Sequence, residues 1–367
     1  MPFPRGWLLG FILSVSACVH FTPQRQEPLS ITDVHANCSE IDLKAGQNDT
    51  IRFSLNKDAD IKVQITDCTG SIVRTLYNGK VQHGPVALVW DGHDDAGEPL
   101  ADGDYYLLIN ARGKCEQTVY DPYLLPWGDM TEAENIIIDP ANRRIYYSLF
   151  QPALVRIRAG DLKENVLYRT IVNWEPRLAG PVTEIWNGFD NSRQINIADK
   201  ENINYILEAY NLPTNAILIK NGARFKGNYP LKRILPIPIN GYRHALHPRT
   251  ECRDVQVIVS LNGDSVVGKP SVIDDSALLR VEIPVPDLTI MEKERFEFSF
   301  FIDGKYVFCE ENAYSPYRYH LKTADVPEGK HDLTVLAVSS GDHAGSGSIK
   351  FTINRRRQKC CSKKSSP

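Results

Sequence analysis

The chain has 367 residues and a net charge of −3, a length that implies roughly two to three domains of ~150 residues. Hydrophobic residues make up 42% and charged residues 24%, enough for packed cores and too polar for a polytopic membrane protein. No overall basicity points to nucleic acid. With 16 Tyr and 13 Phe against 3 Met, the composition leans toward strands, because aromatic side chains suit a pleated, half-buried surface.

At the N-terminus, Arg5 precedes the apolar run Trp7–Val15, and small Ser16 and Ala17 follow. The run is too short for a bilayer that needs ~20 helical residues. Residues 1–17 therefore read as a secretory signal peptide. Val15-Ser16-Ala17-Cys18 resembles the lipobox of bacterial lipoproteins. That resemblance implies cleavage before Cys18, lipidation of Cys18, and anchoring by several acyl chains where one alone is marginal. Val19 in the following position implies, by the same resemblance, export to the outer membrane, on its periplasmic or surface face. Plain cleavage after Ala17 is the alternative. Residues 18–40 then form the anchor and tether.

Two stretches downstream repeat each other. Gly84-Pro-Val-Ala-Leu-Val-Trp90-Asp91-Gly92-His-Asp94 aligns with Gly180-Pro-Val-Thr-Glu-Ile-Trp186-Asn187-Gly188-Phe-Asp190. Ile51–Leu55 aligns with Ile145–Leu149, Arg74-Thr-Leu76 with Arg169-Thr-Ile171, and Asp104-Tyr-Tyr106 with Asn204-Tyr-Ile206. Ile61-Lys-Val-Gln-Ile65 alternates apolar and polar residues, the period of a half-buried strand. Val86–Trp90 and Tyr105–Ala111 read as further strands. Between them, Asp91–Gly97 is dense in turn residues. Short strands with a turn signal every eight to twelve residues imply a β-sandwich.

The order of Gly70, Val73-Arg74-Thr-Leu76, Gly84, Trp90-Asp91-Gly92-x-Asp94-x-x-Gly97 and Asp102-Gly103-x-Tyr105 resembles the FlgD-type Ig-like domain, named for the flagellar hook-capping protein. The first copy spans 41–112 and keeps nearly every position. The second, 138–212, is degenerate: Asn187 replaces Asp91, and the region of Arg193 lacks the counterpart of Gly97. In the signature, Trp90 and Trp186 are expected to fill the core, with the indole N–H finding a partner. Gly92 permits a positive φ, and Asp91 and Asp94 accept from local backbone N–H groups. The competing reading is calcium held by Asp91, Asp94 and Asp95, since clustered carboxylates suit a hard cation. Its spacing matches no EF-hand, and the second copy lacks most of the acids.

Residues 113–137 and 213–250 read as linkers. The second is long, and its apolar Ile217-Leu-Ile219 suggests packing on a neighbour. From 251 to 354 strands resume, with hairpin signals at Asn262-Gly263 and Asp303-Gly304. This segment is similar to another bacterial Ig-like module. The expected fold class is therefore all-β, with three Ig-like or fibronectin-like sandwich domains in tandem. His331 reads as a strand-edge or core side chain. Residues 355–367 form a basic tail, with six basic residues and no acid.

Cys252 and Cys309 share the third domain and form the candidate disulfide, which an exported location permits. Cys38, Cys68 and Cys115 share the first domain with no preferred pairing. The spacings fit no zinc or haem motif, so the expected metals and cofactors are none. No nucleophile elbow, zincin, P-loop or dinucleotide motif appears, and three sandwiches use nearly the whole chain. The expectation is a non-catalytic, membrane-anchored scaffold, spacer or binding module with a protein partner in the envelope. The alternatives are a glycan-binding or adhesion protein, using aromatics such as Trp127, Tyr123, Tyr314 and Tyr317, and an assembly factor like the hook cap.

Overall fold

Alternating burial builds a first sandwich from β1 (Ile31–Ala36), β2 (Glu40–Asp42), β3 (Asp49–Leu55), β4 (Ala59–Asp67), β5 (Ile72–Val81), β6 (Gly84–Trp90), β7 (Gly103–Arg112) and β8 (Gln117–Tyr120). The structure, a computed structural model, describes residues 27–37, 39–125, 128–222, 253–263, 270–341 and 343–355. One sheet runs β1-β3-β6, and the facing sheet contains β7-β4-β5, with β8 beside β7. Ile51, Phe53 and Leu55 of β3 point inward at Ile61, Val63 and Ile65 of β4. Each such buried side chain contributes about 1.5–3 kcal/mol relative to exposure. The sandwich begins at Ile31, inside the expected tether. A bulge between Thr32 and His35 breaks the period-two pattern of β1, which hides the strand from a sequence reading.

The second sandwich comprises β9 (Ala133–Asp139), β10 (Arg144–Leu149), β11 (Ala153–Asp161), β12 (Val166–Arg177), β13 (Gly180–Ile185) and β14 (Asn204–Asn211). Its sheets run β9-β10-β13 and β12-β11-β14. Strand for strand, this is the order β1-β3-β6 and β5-β4-β7 of the first sandwich. Ile145, Tyr147 and Leu149 face Val155 and Ile157 in the core.

The segment after β14 is no simple linker. Strand β15 (Ile217–Lys220) returns to the first sandwich and lies between β2, which it pairs in parallel, and β7, which it pairs antiparallel. Ile217 and Ile219 complete the first core. The second sandwich is thus inserted between β8 and β15. Its two connections meet in one cluster of Tyr106, Tyr123, Leu154, Trp174, Tyr210, Leu212 and Ala216.

A third sandwich holds β16 (Ile258–Leu261), β17 (Ser271–Ile273), β18 (Ser276–Glu282), a short α1 (Asp287–Met291), β19 (Phe296–Ile302), β20 (Lys305–Glu310), β21 (Tyr317–Lys322), β22 (Gly329–Ser339) and β23 (Ala344–Ile353). The sheets run β16-β18-β21 and β17-β23-β22-β19-β20. The Asp303-Gly304 hairpin forms as read: both residues have positive φ, and Ile302 pairs with Lys305. Phe296, Phe298 and Phe300 face inward. Phe301 faces the other way and is buried against Tyr168, Trp186, Ile195 and Ile197 of the second sandwich.

Because Ile217 is fully buried in the first core, Ile217→Ala is expected to cost about 2–5 kcal/mol. A urea titration followed by tryptophan fluorescence checks this. A cost under about 0.5 kcal/mol, the level of a neutral surface change, would mean that β15 is not an integral strand.

Candidate functional site

The signature forms a loop held by side chain to backbone bonds together with backbone bonds such as Asp94 N–H to the Glu98 carbonyl and Leu100 N–H to the Gly92 carbonyl. Trp90 ends β6 in the core, packs edge-on against Tyr105 at 5.9 Å, and donates its indole N–H to the His93 carbonyl at 3.1 Å. Asp91 accepts from the His93 N–H, and Asp94 accepts from the N–H groups of Ala96 and Glu98. Asp95 reaches across to the Thr75 N–H on β5 at 2.9 Å. The three carboxylates are therefore each tied to different backbone groups. No group of three or more metal-binding side chains converges among the described residues.

The aligned loop of the second sandwich has a similar geometry with different side chains. Asn187 accepts from the Phe189 N–H at 3.0 Å, and Asp190 accepts from Ser192, Gln194 and Ile195. Asn191 takes the role of Asp95, accepting from the Thr170 N–H. Gly97 N–H donates to the Asp94 carbonyl at 3.1 Å, and Arg193 N–H donates to the Asp190 carbonyl at the same distance. Arg193 holds a φ of 57°, so it occupies the left-handed position where the first copy has glycine. Trp186 packs on Tyr205 at 6.1 Å, but its indole N–H has no partner among the described residues. Burial pushes the Asp190 carboxyl above the usual carboxylate range, against the backbone N–H groups that favour its charge.

The sequence reading missed two roles. Arg74 and Arg169 recur in the repeat because each guanidinium donates to a loop carbonyl, Asp94 O and Asp190 O respectively. Asp102 recurs in the family pattern, and here its Oδ1 accepts from the backbone of Asn221 and Gly222, capping β15. Gly92 serves the same strand. A Cβ there would lie 2.6 Å from Leu43 Cδ2 and 3.1 Å from Ile219 Cδ1. The first loop therefore braces β15.

The second loop braces the third sandwich. Asn191 Nδ2 donates to Ser346 Oγ at 3.1 Å, and the Ser348 N–H donates to Ser192 Oγ at 2.8 Å. Beside it, Asp254 is almost fully buried against the outer face of the β12-β11-β14 sheet. Its carboxylate takes both a guanidinium Nε–H and an Nη–H from Arg158, and a hydroxyl from Thr170. Asn173 bonds the Asp254 backbone at both N–H and C=O, at 2.9 and 3.0 Å. A polar groove of about 610 Å³ runs alongside, lined in part by Arg169, Gln194 and Gln256.

Other expected residues fall differently. Cys18, Cys252 and Trp127 lie outside the described residues. Cys309 is half-buried and has no disulfide partner among the described residues. Tyr123 and Tyr317 are not exposed platforms: Tyr123 is buried at the junction of the first two sandwiches and Tyr317 in the third core. The Pro-aromatic segments around them supply core residues. Tyr314 is exposed. His331 lies near the start of β22, an interior strand, bonded to Asp303 at 2.7 Å and to the Pro327 carbonyl at 2.8 Å. Asp104, like Asp49 and Asp254, is a buried acid that the sequence pattern does not announce. Asp104 on β7 has one oxygen bonded by the Tyr106 hydroxyl at 2.5 Å and the other without a partner among the described residues. Burial raises its pKa to about 6.

The chain is thus an all-β protein of tandem Ig-like sandwiches. Residues 38–114 match the model of the FlgD Ig-like domain. No curated protein matches the chain. Among solved structures, an endo-beta-1,4-mannanase from Thermotoga petrophila is similar at 17% identity over 27% of this chain, with a TM-score of 0.20, and the match spans only 20% of that enzyme's chain. A structure bearing on host cell surface retention of a 1.5-MDa bacterial ice-binding adhesin matches at 12% identity over 90% of this chain and 100% of its own, with a TM-score of 0.21. A tetra-tandem repeat from the extending region of a large adhesion protein matches at 14% over 89% and 74%, with a TM-score of 0.19.

Gly97 has a φ of 81° and nothing within 4 Å of an added Cβ, whereas Gly92 has a φ of 75° and two close neighbours. Gly97→Ala is expected to cost about 1–2 kcal/mol and Gly92→Ala about 3 kcal/mol or more. Equal losses in chemical denaturation would remove the packing role of Gly92. Asp104 generates a pH dependence. Its raised pKa means that the folded state holds this proton more tightly than the unfolded chain. Its stabilising effect is full below about pH 4 and is lost as pH climbs through about 6, a change of about 3 kcal/mol at most. Asp104→Asn is expected to raise the melting temperature at pH 8 and to change it little at pH 4. An unchanged difference across that range would show that the carboxyl titrates normally.

Proposed function

We propose that this chain is a non-catalytic scaffold or binding module of a bacterial envelope, anchored through lipid on Cys18 at the outer membrane. Residues 133–211 serve in it as a second, degenerate FlgD-type copy. The observation that carries the reading is how consecutive sandwiches are fixed to each other. The second is held to the first by two chain connections and a buried aromatic cluster. The third is held to the second by Phe301 and the buried Asp254–Arg158 pair. A scaffold that presents surfaces at a set distance from a membrane requires fixed junctions of this kind, whereas flexible linkers leave domains free to swing. The shared strand order and the matching bonds of Asp94 and Asp190 support the second copy.

The test begins with the anchor. In membranes, the N-terminal peptide is expected to start at an acylated Cys18, and Cys18→Ala is expected to move the protein to the aqueous fraction. An N-terminal peptide starting at Met1, or a free Cys18 thiol, would sink the anchored reading. Crosslinking on native membranes then tests the scaffold. A specific set of envelope crosslinks is expected in the wild type and altered in Asp254→Ala, which loosens one junction and keeps the anchor. Turnover of a substrate by the purified chain would replace this reading with an enzymatic one.

A further inference from the structure

We propose that the open face of the β16-β18-β21 sheet binds a linear acidic polysaccharide, a polymer carrying a carboxylate on its sugar units. On β21, Tyr317 and Leu321 turn into the third core, so Arg318, His320 and Lys322 all point to solvent. On the central strand β18, Leu278 and Arg280 point to the same side. The register sets Arg280 directly opposite Arg318, and Leu278 opposite His320. Like charges directly opposite each other destabilise a sheet. Protection against edge pairing accounts for charges on an edge strand such as β21. It does not account for Arg280, which lies on the middle strand.

The only acid on β18 that shares this face, Glu282, is taken by Arg280 at 2.7 Å. Arg318 and Lys322 make no ion pair among the described residues. Alternate residues of a strand stand about 6.7 Å apart, so Arg318, His320 and Lys322 form an evenly spaced row suited to a ligand whose charge repeats along an extended chain. Beside the row lies a groove of about 490 Å³ lined by Ile258, Ser260, Gly263, Leu278, Arg280, Glu282 and Arg318. Within it, the Arg318 guanidinium fork, which Glu282 does not take, matches a carboxylate in bidentate geometry. Leu278 and Ile258 offer apolar contact for the C–H faces of sugar rings, and Ser260 offers a hydroxyl. This names a partner class for the binding-module reading and does not need the Cys18 anchor.

The test is calorimetric titration of the full chain in detergent with polygalacturonate oligomers. Binding is expected at about 50 mM salt and is expected to weaken about tenfold by about 200 mM, as screening of exposed charge requires. Arg318→Ser with Lys322→Ser is expected to lose about tenfold or more. Lys62→Ser with Lys80→Ser removes the same charge from β4 and β5 and is expected to stay within about twofold, because screening confines the attraction to nearby charges. Cys18→Ala is expected to bind as the wild type, which separates this result from the anchor. The proposal falls if Arg318→Ser with Lys322→Ser binds normally, or if both charge-removal pairs weaken alike. It falls equally if no binding occurs at low salt, or if the same residues capture phosphatidylglycerol vesicles and no polygalacturonate. Thermal unfolding of each variant confirms that the fold is retained.

Discussion

The slot between β2 and β7 is the constraint on which the rest of the arrangement depends. Without β15, β2 and the first three residues of β7 would lose their sheet partner on that side, and Ile41 and Tyr105 would lose a neighbour in the core. Filling the slot obliges the chain to come back to the first sandwich after building the second. The excursion therefore starts and ends at the same place, and Tyr106, Tyr123, Trp174 and Tyr210 pack where the two crossings meet. One connection between two domains permits a swivel, whereas two adjacent connections with a buried aromatic seam remove most of that freedom. The FlgD-type signature supports this closure, since Gly92 leaves room for Ile219 and Asp102 caps the end of the strand.

The two signature loops show one device put to two uses. In the first copy the loop supports a strand of its own sandwich. In the second, an almost identical set of bonds presents Asn191 and Ser192 to the next sandwich. The substitutions follow the physics of the bonds. At the position matching Asp91, Asn187 supplies the same acceptor without a charge. Arg193 adopts the left-handed conformation at a cost of about 1–2 kcal/mol, which the three N–H bonds to Asp190 and the docked third sandwich offset. The indole N–H of Trp186 is the part of the pattern that was not kept.

Much of this was legible in the sequence because it is local. Period-two alternation marked β4, Asp-Gly and Asn-Gly marked turns, and the repeat aligned β3 with β10, Trp90 with Trp186 and Tyr105 with Tyr205. What was hidden is what depends on distant chain. β15 is four residues long and its partners lie more than a hundred residues earlier, so no local period announces it. Phe301 reads as an exposed position of β19 until a second sandwich covers it. Asp254 reads as a surface acid until Arg158, Thr170 and Asn173 surround it. Tyr123 and Tyr317 invited a reading as binding platforms for the same reason, because aromatic side chains look alike in sequence whether a junction buries them or solvent meets them.

The return of β15 also sets a timetable. A ribosome adds ~5–20 residues per second, so β7 is complete on the order of 5–20 s before Ile217 is made. During that interval the strand that pairs with β2 and the start of β7 does not yet exist. Residues 133–211 lie between β8 and β15, so they are made before the slot can close. Synthesis order and assembly order are thus reversed for part of the molecule. The earliest domain to be translated is the last of the first two to be finished.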